Sequence, residues 1–179
     1  MSIRAVIWDF GGVLVRTEDP APRTELGAEV GMSAVDLERH VFASEAGKQA
    51  QLGAVDGNQY LDQVAGDFKL DPQDFRERFF GGDRLDKTLM DYIRGLRPAY
   101  KTGLLSNAMT DLRELITDVY PIIDAFDSVI ISSEHGTAKP YARIYEIALQ
   151  SLDVSATQAV FIDDSPENVA AAQALGMQA

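Results

Sequence analysis

Residues 6–14 read Val6-Ile7-Trp8-Asp9-Phe10-Gly11-Gly12-Val13-Leu14. The run from 3 to 8 that leads into them is apolar and rich in β-branched residues, and it stops on a carboxylate and a pair of glycines. A short apolar run ended by turn residues is the mark of a strand covered on both faces. Three more runs have the same character: 101–105 (Lys-Thr-Gly-Leu-Leu), 127–132 (Asp-Ser-Val-Ile-Ile-Ser) and 158–162 (Gln-Ala-Val-Phe-Ile). Helical spacing separates the last three. Apolar residues fall at 109, 112, 115, 116 and 119, and again at 141, 144, 145, 148, 149 and 152. A further helix over 165–175 opens Ser165-Pro166-Glu167, with a capping serine, a proline at the first helical position and an acid in the first turn. Strands alternating with helices predict an α/β fold, a doubly wound, Rossmann-like parallel sheet. Gly176, placed to end the last helix, would normally feed another strand.

Between the first two strands the pattern changes. From about 16 to 95 there is no convincing strand run. Leu37, Val41 and Phe42, then Tyr60, Leu61, Val64 and Phe68, then Phe75, Phe79 and Phe80 sit at helical spacing. A stretch this long exceeds a plain crossover. It predicts an all-helical insertion at 16–95, within a discontinuous α/β core formed by 1–15 and 96–179.

Composition bounds the function. The 179 residues are 46% hydrophobic and 25% charged, ordinary globular usage. There is no cysteine, which excludes disulfide scaffolds, zinc ribbons and thiol catalysis. Apolar runs reach only four residues, as in Ala159-Val160-Phe161-Ile162, whereas a membrane span needs about 20. Asp9 falls where a signal peptide would still be apolar, so a cytoplasmic protein with no membrane partner is expected. Acidic residues outnumber basic ones 28 to 16, for a net charge of −12. No basic stripe is present, so no nucleic-acid partner is expected. An anionic ligand would be repelled at long range and must be held by local positive charge.

In a parallel sheet, ligands bind beyond the carboxyl ends of the strands. There the sequence places Asp9 with Gly11-Gly12, Ser106-Asn107, a loop containing Lys139, and Asp163-Asp164. Taken singly, each is ordinary: Asp9 a turn residue, Ser106-Asn107 a helix cap, Lys139 a solvated loop lysine. His40 and His135 read as helix-flank residues. Taken together they are three carboxylates and one ammonium at one sheet edge. Clustered carboxylates raise one another's pKa unless a positive charge intervenes. A hard cation such as Mg²⁺, with Asp9 and Asp164 as oxygen ligands, would relieve that repulsion, and Lys139 adds a second positive point. Backbone N–H groups of the Gly11-Gly12 turn could cradle a phosphate. A phosphoryl group facing a carboxylate in such a setting is open to attack, giving an aspartyl-phosphate.

The stretches 6–14, Gly103-Leu104-Leu105-Ser106-Asn107, Gly136-Thr137-Ala138-Lys139-Pro140 and Val160-Phe161-Ile162-Asp163-Asp164-Ser165 with Asn168 resemble, in order and spacing, the haloacid dehalogenase superfamily of hydrolases. The long interval after Asp9 fits the helical cap that this superfamily inserts after its first motif. The resemblance implies Asp9 as nucleophile and metal ligand, with the backbone carbonyl of Gly11 and Asp164 as further ligands of Mg²⁺. It implies Asp163 acting on the metal through water, and Ser106 hydrogen-bonding the phosphoryl group with Asn107 beside it. Lys139 would neutralise nucleophile and phosphate together, and the cap would choose the substrate, a small phosphorylated molecule.

One position departs from that pattern. Most phosphatases of the group carry a second aspartate two residues after the nucleophile, as general acid and base; here that position is Gly11. The leading expectation is a Mg²⁺-dependent phosphatase for a small phosphomonoester, favouring leaving groups of low pKa. Two alternatives stand beside it: a metal-free 2-haloacid dehalogenase, and a catalytically impaired binding protein that keeps the fold.

Overall fold

The computed structural model of the chain describes residues 2–179. In chain order it comprises β1 (Ala5–Trp8), β2 (Val15–Thr17), α1 (Ala21–Glu29), α2 (Ala34–Ala43), α3 (Glu45–Gln51), α4 (Gly57–Asp67), α5 (Pro72–Phe80), β3 (Asp83–Leu85) and α6 (Lys87–Leu96). There follow β4 (Lys101–Ser106), α7 (Leu112–Glu114), β5 (Ser128–Ile131), α8 (Ser132–His135), α9 (Ala142–Ser151), β6 (Ala159–Ile162) and α10 (Pro166–Ala174). Strands β5, β4, β1 and β6 form one parallel sheet in that order. Each corresponds to one of the four apolar runs. The chain steps outward from β1 to β5, then returns to place β6 on the other side of β1. Ala5 and Ile7 face α9 and α10 through Ile144, Tyr145 and Ala172. Trp8 and Leu104 face Met90 and Ile93 of α6 and Ile116. Both sheet faces are therefore dry, which is why the strands read as near-continuous apolar runs.

Helices α1 to α5 gather around their own apolar cluster, including Leu37, Val41, Tyr60, Leu61, Phe75 and Phe79. Their starts are locally encoded. Ser33, Ser44, Asp56 and Asp71 each accept a backbone N–H from the first turn of the helix they precede, and Pro72 stands at the head of α5.

Three local expectations are corrected. The stretch 16–95 does contain strand: β2 and β3 pair antiparallel, Val15 opposite Leu85 and Thr17 opposite Asp83. Three residues per strand, carrying charged and hydroxyl side chains, are too few to show a period. The helix expected over 108–119 begins only at Leu112 and continues as a π-helix from Leu115 to Val119. Met109 is drawn instead into the cluster of α1 to α5. Ser165 does not cap α10 with its side chain; its N–H is bound by Asp163 Oδ1 at 2.8 Å. Beyond α10, Gln178 bridges to Val160 in parallel, so the chain after Gly176 does turn back beside β6. Among the described residues no helix is long and apolar enough to cross a membrane.

Candidate active site

β1 lies between β4 and β6, so residues just past the ends of all three strands meet. Asp9 follows β1, Ser106 ends β4, and Asp163-Asp164 follow β6. The switch in winding direction falls between β1 and β6, where parallel α/β sheets open a crevice. Lys139 comes in from the loop after α8. Its Nζ lies 2.8 Å from Asp9 Oδ1 and 2.6 Å from Asp163 Oδ2. Carboxylate oxygens of Asp9, Asp163 and Asp164 lie within 4.8 Å of one another.

Much of this cluster is dry. Asp9 is 8% exposed, Ser106 3% and Lys139 4%, whereas Asp164 faces solvent. Burial lifts the Asp9 carboxyl from its ordinary 3.8 to about 6. The charge of Asp163 adds to the rise, while the Lys139 ammonium and the Phe10 N–H oppose it. Asp9 is thus still mainly ionised at neutral pH. Its Oδ1 accepts both Lys139 and the Phe10 N–H, the latter at 2.7 Å. Its Oδ2 has no partner among the described residues and is the oxygen left for a ligand.

Lys139 and Asp163 are also held by neutral groups. Asn107 Oδ1 accepts the Lys139 N–H and Asn107 Nδ2 donates to the Lys139 carbonyl, both at 2.8 Å. The Phe161 ring lies 5.5 Å from Nζ, in the range of a cation–π contact. Asp163 accepts from Asn168 Nδ2 at 3.0 and 3.1 Å. The Asn107 side chain thus grips the Lys139 backbone, and Asp163 touches Lys139 directly. One sequence expectation is corrected. The Gly12 N–H is donated to the Val15 carbonyl and is not open to a phosphate. What Gly12 supplies is room. Its φ is +76°, and a Cβ there would stand 2.2 Å from Asp164 Oδ2.

The donor set suits a divalent cation. Three carboxylates face one ammonium, all donors are oxygens, and the residual negative charge has no protein partner among the described residues near Asp164. Asn168 is the site residue whose role the sequence did not reveal; five positions after Asp163, it reaches back from the first turns of α10.

The chain belongs to the haloacid dehalogenase-like hydrolases: residues 3–176 match the model of that family. It is a hydrolase, and its relatives include phosphatases. A sesquiterpene phosphatase of Aspergillus oryzae is 28% identical over 180 residues, covering 98% of this chain and 88% of the relative. A D-ribitol-5-phosphate phosphatase of Bacteroides thetaiotaomicron is 25% identical over 186 residues, covering 98% and 90%. Among solved structures, a family enzyme from Bacteroides thetaiotaomicron, in complex with magnesium and inorganic phosphate, aligns with a TM-score of 0.81 at 22% identity, covering 99% of this chain and 92% of that one. A family hydrolase from Porphyromonas gingivalis aligns with a TM-score of 0.79 at 24% identity, covering 99% and 90%. The two structural likenesses are likenesses of fold.

Proposed function

We propose that the protein is a Mg²⁺-dependent phosphatase of a small phosphomonoester, working through an aspartyl-phosphate at Asp9. The observation that carries this reading is the buried Lys139 wedged between Asp9 and Asp163, with Asp164 beside them. That arrangement keeps a carboxylate ionised in a dry site and supplies positive charge where a phosphate must approach it. The relatives' names support a phosphate ester, and a neighbour of the same fold is known with magnesium and phosphate.

The ion would be held by Asp9, Asp164 and the Gly11 carbonyl, and when bound it would screen phosphate charge from the nucleophile. The chain's own residues do the rest. A carboxylate oxygen of Asp9 attacks phosphorus, forming the P–O bond to Asp9 as the bond to the leaving oxygen breaks. The Ser106 hydroxyl, which has no partner among the described residues, donates to a phosphoryl oxygen. Lys139 stays against Asp9 and balances the charge arriving there. Water then attacks phosphorus, and Asp9 is released as carboxylate with inorganic phosphate. The helices α1 to α5 act as a cap over a core formed by the sheet and its flanking helices; α6, which falls within the insertion expected at 16–95, packs against the sheet through Met90 and Ile93 and belongs to that core instead.

A panel of phosphate esters assayed with Mg²⁺ and with EDTA tests the reading. Turnover that needs Mg²⁺ and disappears in Asp9→Asn is expected. Halide release from a 2-haloacid that persists in EDTA would replace it with the dehalogenase reading. No turnover beside measurable Mg²⁺ binding would replace it with a binding role.

Two substitutions probe the glycines. Gly12→Ala forces Cβ into the Asp164 carboxylate from a left-handed backbone, so Mg²⁺ affinity is expected to fall by about 10–100-fold, measured by calorimetry. An unchanged Kd would remove Asp164 from the ligand set. At Gly11 the reverse holds: a Cβ there meets nothing within 4 Å. Gly11→Asp therefore meets no obstruction at its Cβ, and it is expected to supply the missing general acid. Turnover of alkyl phosphates is expected to rise by about 10–100-fold relative to aryl phosphates. An unaltered alkyl-to-aryl ratio would dissociate Gly11 from leaving-group choice.

A further inference from the structure

The loop from Ser106 to Asp111 touches more than the reacting centre. Ser106 ends β4 at the site, and Asn107 grips the backbone of Lys139 on both sides. The Ala108 N–H is donated to Ser132 Oγ at 2.9 Å, and that hydroxyl donates at 2.6 Å to the carbonyl of Gln51, at the end of α3. Met109, 5% exposed, is buried with Tyr60 and Leu61 of α4 rather than with the sheet. The Thr110 hydroxyl accepts the Gly57 N–H at 2.9 Å and donates to Asp56 Oδ2 at 3.0 Å, at the very start of α4. The approach is close. A Cβ on Gly57 would stand 2.7 Å from Met109 Cβ, and one on Gly53 would stand 2.2 Å from the Ser133 carbonyl oxygen. Five successive residues thus join the phosphoryl-donor position, the clamp on Lys139 and the seat of the helical block.

We propose that Met109 and Thr110 are positioning residues: seating of α3 and α4 on residues 108–110 holds Asn107, and through it Lys139, in register with Asp9. The activity part of this inference rests on the phosphatase reading above. The segment acts as a lever. Thr110 is only three residues from Asn107, and the segment between them is anchored outward, to α4 and α8. Once those anchors are broken, residues 107–110 are free to move as a loop, and the two 2.8 Å bonds from Asn107 are the first to lengthen. The ribbon of β2 and β3 also ties the block to the core, so the block need not leave for the register to slip. Because reacting atoms tolerate little misplacement, a slip of about 1 Å can cost on the order of 100-fold in rate.

The test compares Thr110→Ala, which removes the hydroxyl, with Thr110→Ser, which keeps it, and with Gly57→Ala, which wedges α4 away from Met109. Each is assayed with p-nitrophenyl phosphate and Mg²⁺, and exchange of the Lys139 amide proton is followed by NMR. Thr110→Ala and Gly57→Ala are expected to lower kcat about tenfold or more while KM moves less than about twofold. The Lys139 amide should exchange faster in both, and Thr110→Ser should restore both readouts. Wild-type kcat in the two variants, or a lowered kcat without faster exchange at Lys139, overturns the proposal. A wild-type protein with no phosphatase turnover sinks the phosphatase reading alone. The exchange measurement then decides this inference by itself: faster exchange supports it and unchanged exchange overturns it. If Thr110→Ala does not fold, Gly57→Ala carries the same comparison.

Discussion

Asp9→Asn is expected to abolish turnover, lowering kcat by about 10⁴-fold or more, and yet to make the metal-free protein more stable. The loss of activity follows from the role of the carboxylate: the amide oxygen cannot attack phosphorus, and removing a nucleophile costs the whole covalent route. The gain in stability follows from burial. The folded state raises the Asp9 carboxyl from 3.8 to about 6, so burial outweighs Lys139 and the charged form is the disfavoured one. The sign is that of a group binding its proton more tightly when folded. The penalty is absent below about pH 4, grows between 4 and 6, and is fully present above 6. Asparagine carries no charge and keeps an oxygen for the Phe10 N–H. In EDTA at pH 7.5 the variant should gain about 1–3 kcal/mol over the wild type by urea unfolding. That difference should shrink toward pH 4. A variant that unfolds earlier than the wild type at pH 7.5 would show that the Lys139 contact, not desolvation, governs Asp9.

Lys139→Met should act in the opposite sense on stability. Methionine keeps much of the side-chain volume beside Phe161 but removes the charge between Asp9 and Asp163, whose side chains are 12% and 0% exposed. Taking one partner from a buried pair leaves uncompensated charge and costs about 3–5 kcal/mol. Activity falls as well, by about 10²–10³-fold, because the ammonium that meets the phosphate charge is gone. Added Mg²⁺ should recover part of the stability and little of the activity. Unfolding at the wild-type urea midpoint in EDTA would mean that the two carboxylates do not depend on Lys139.

The sheet and most of the site could be read in the sequence for one physical reason. Strands dry on both faces must be apolar throughout, and the first polar residues after them mark the edge where ligands bind. Asp9, Ser106 and Asp163-Asp164 announce themselves in that way, and Lys139 follows from its loop. Asn107 shows where the sequence stops short. Its side chain holds the backbone of a residue 32 positions on, which no local pattern encodes. Thr110 is a sharper case, with its donor 53 positions away at the head of another helix. Met109 fitted the helical period of 108–119 and still left it, because a second apolar cluster lay within reach. The ribbon of β2 and β3 escaped for lack of length: three residues on each side, and Arg16 opposite Arg84, carry no alternation.

The most direct test of the mechanism is chemical trapping at residue 9. Enzyme turning over a phosphate ester with Mg²⁺ is quenched in acid, reduced with borohydride and digested, and the peptide spanning Ala5 to Leu14 is analysed by mass spectrometry. An acyl phosphate on Asp9 is reduced to homoserine at that position, so homoserine is expected there, dependent on substrate and absent from Asp9→Asn. Steady product release with Asp9 recovered only as unmodified aspartate would contradict it.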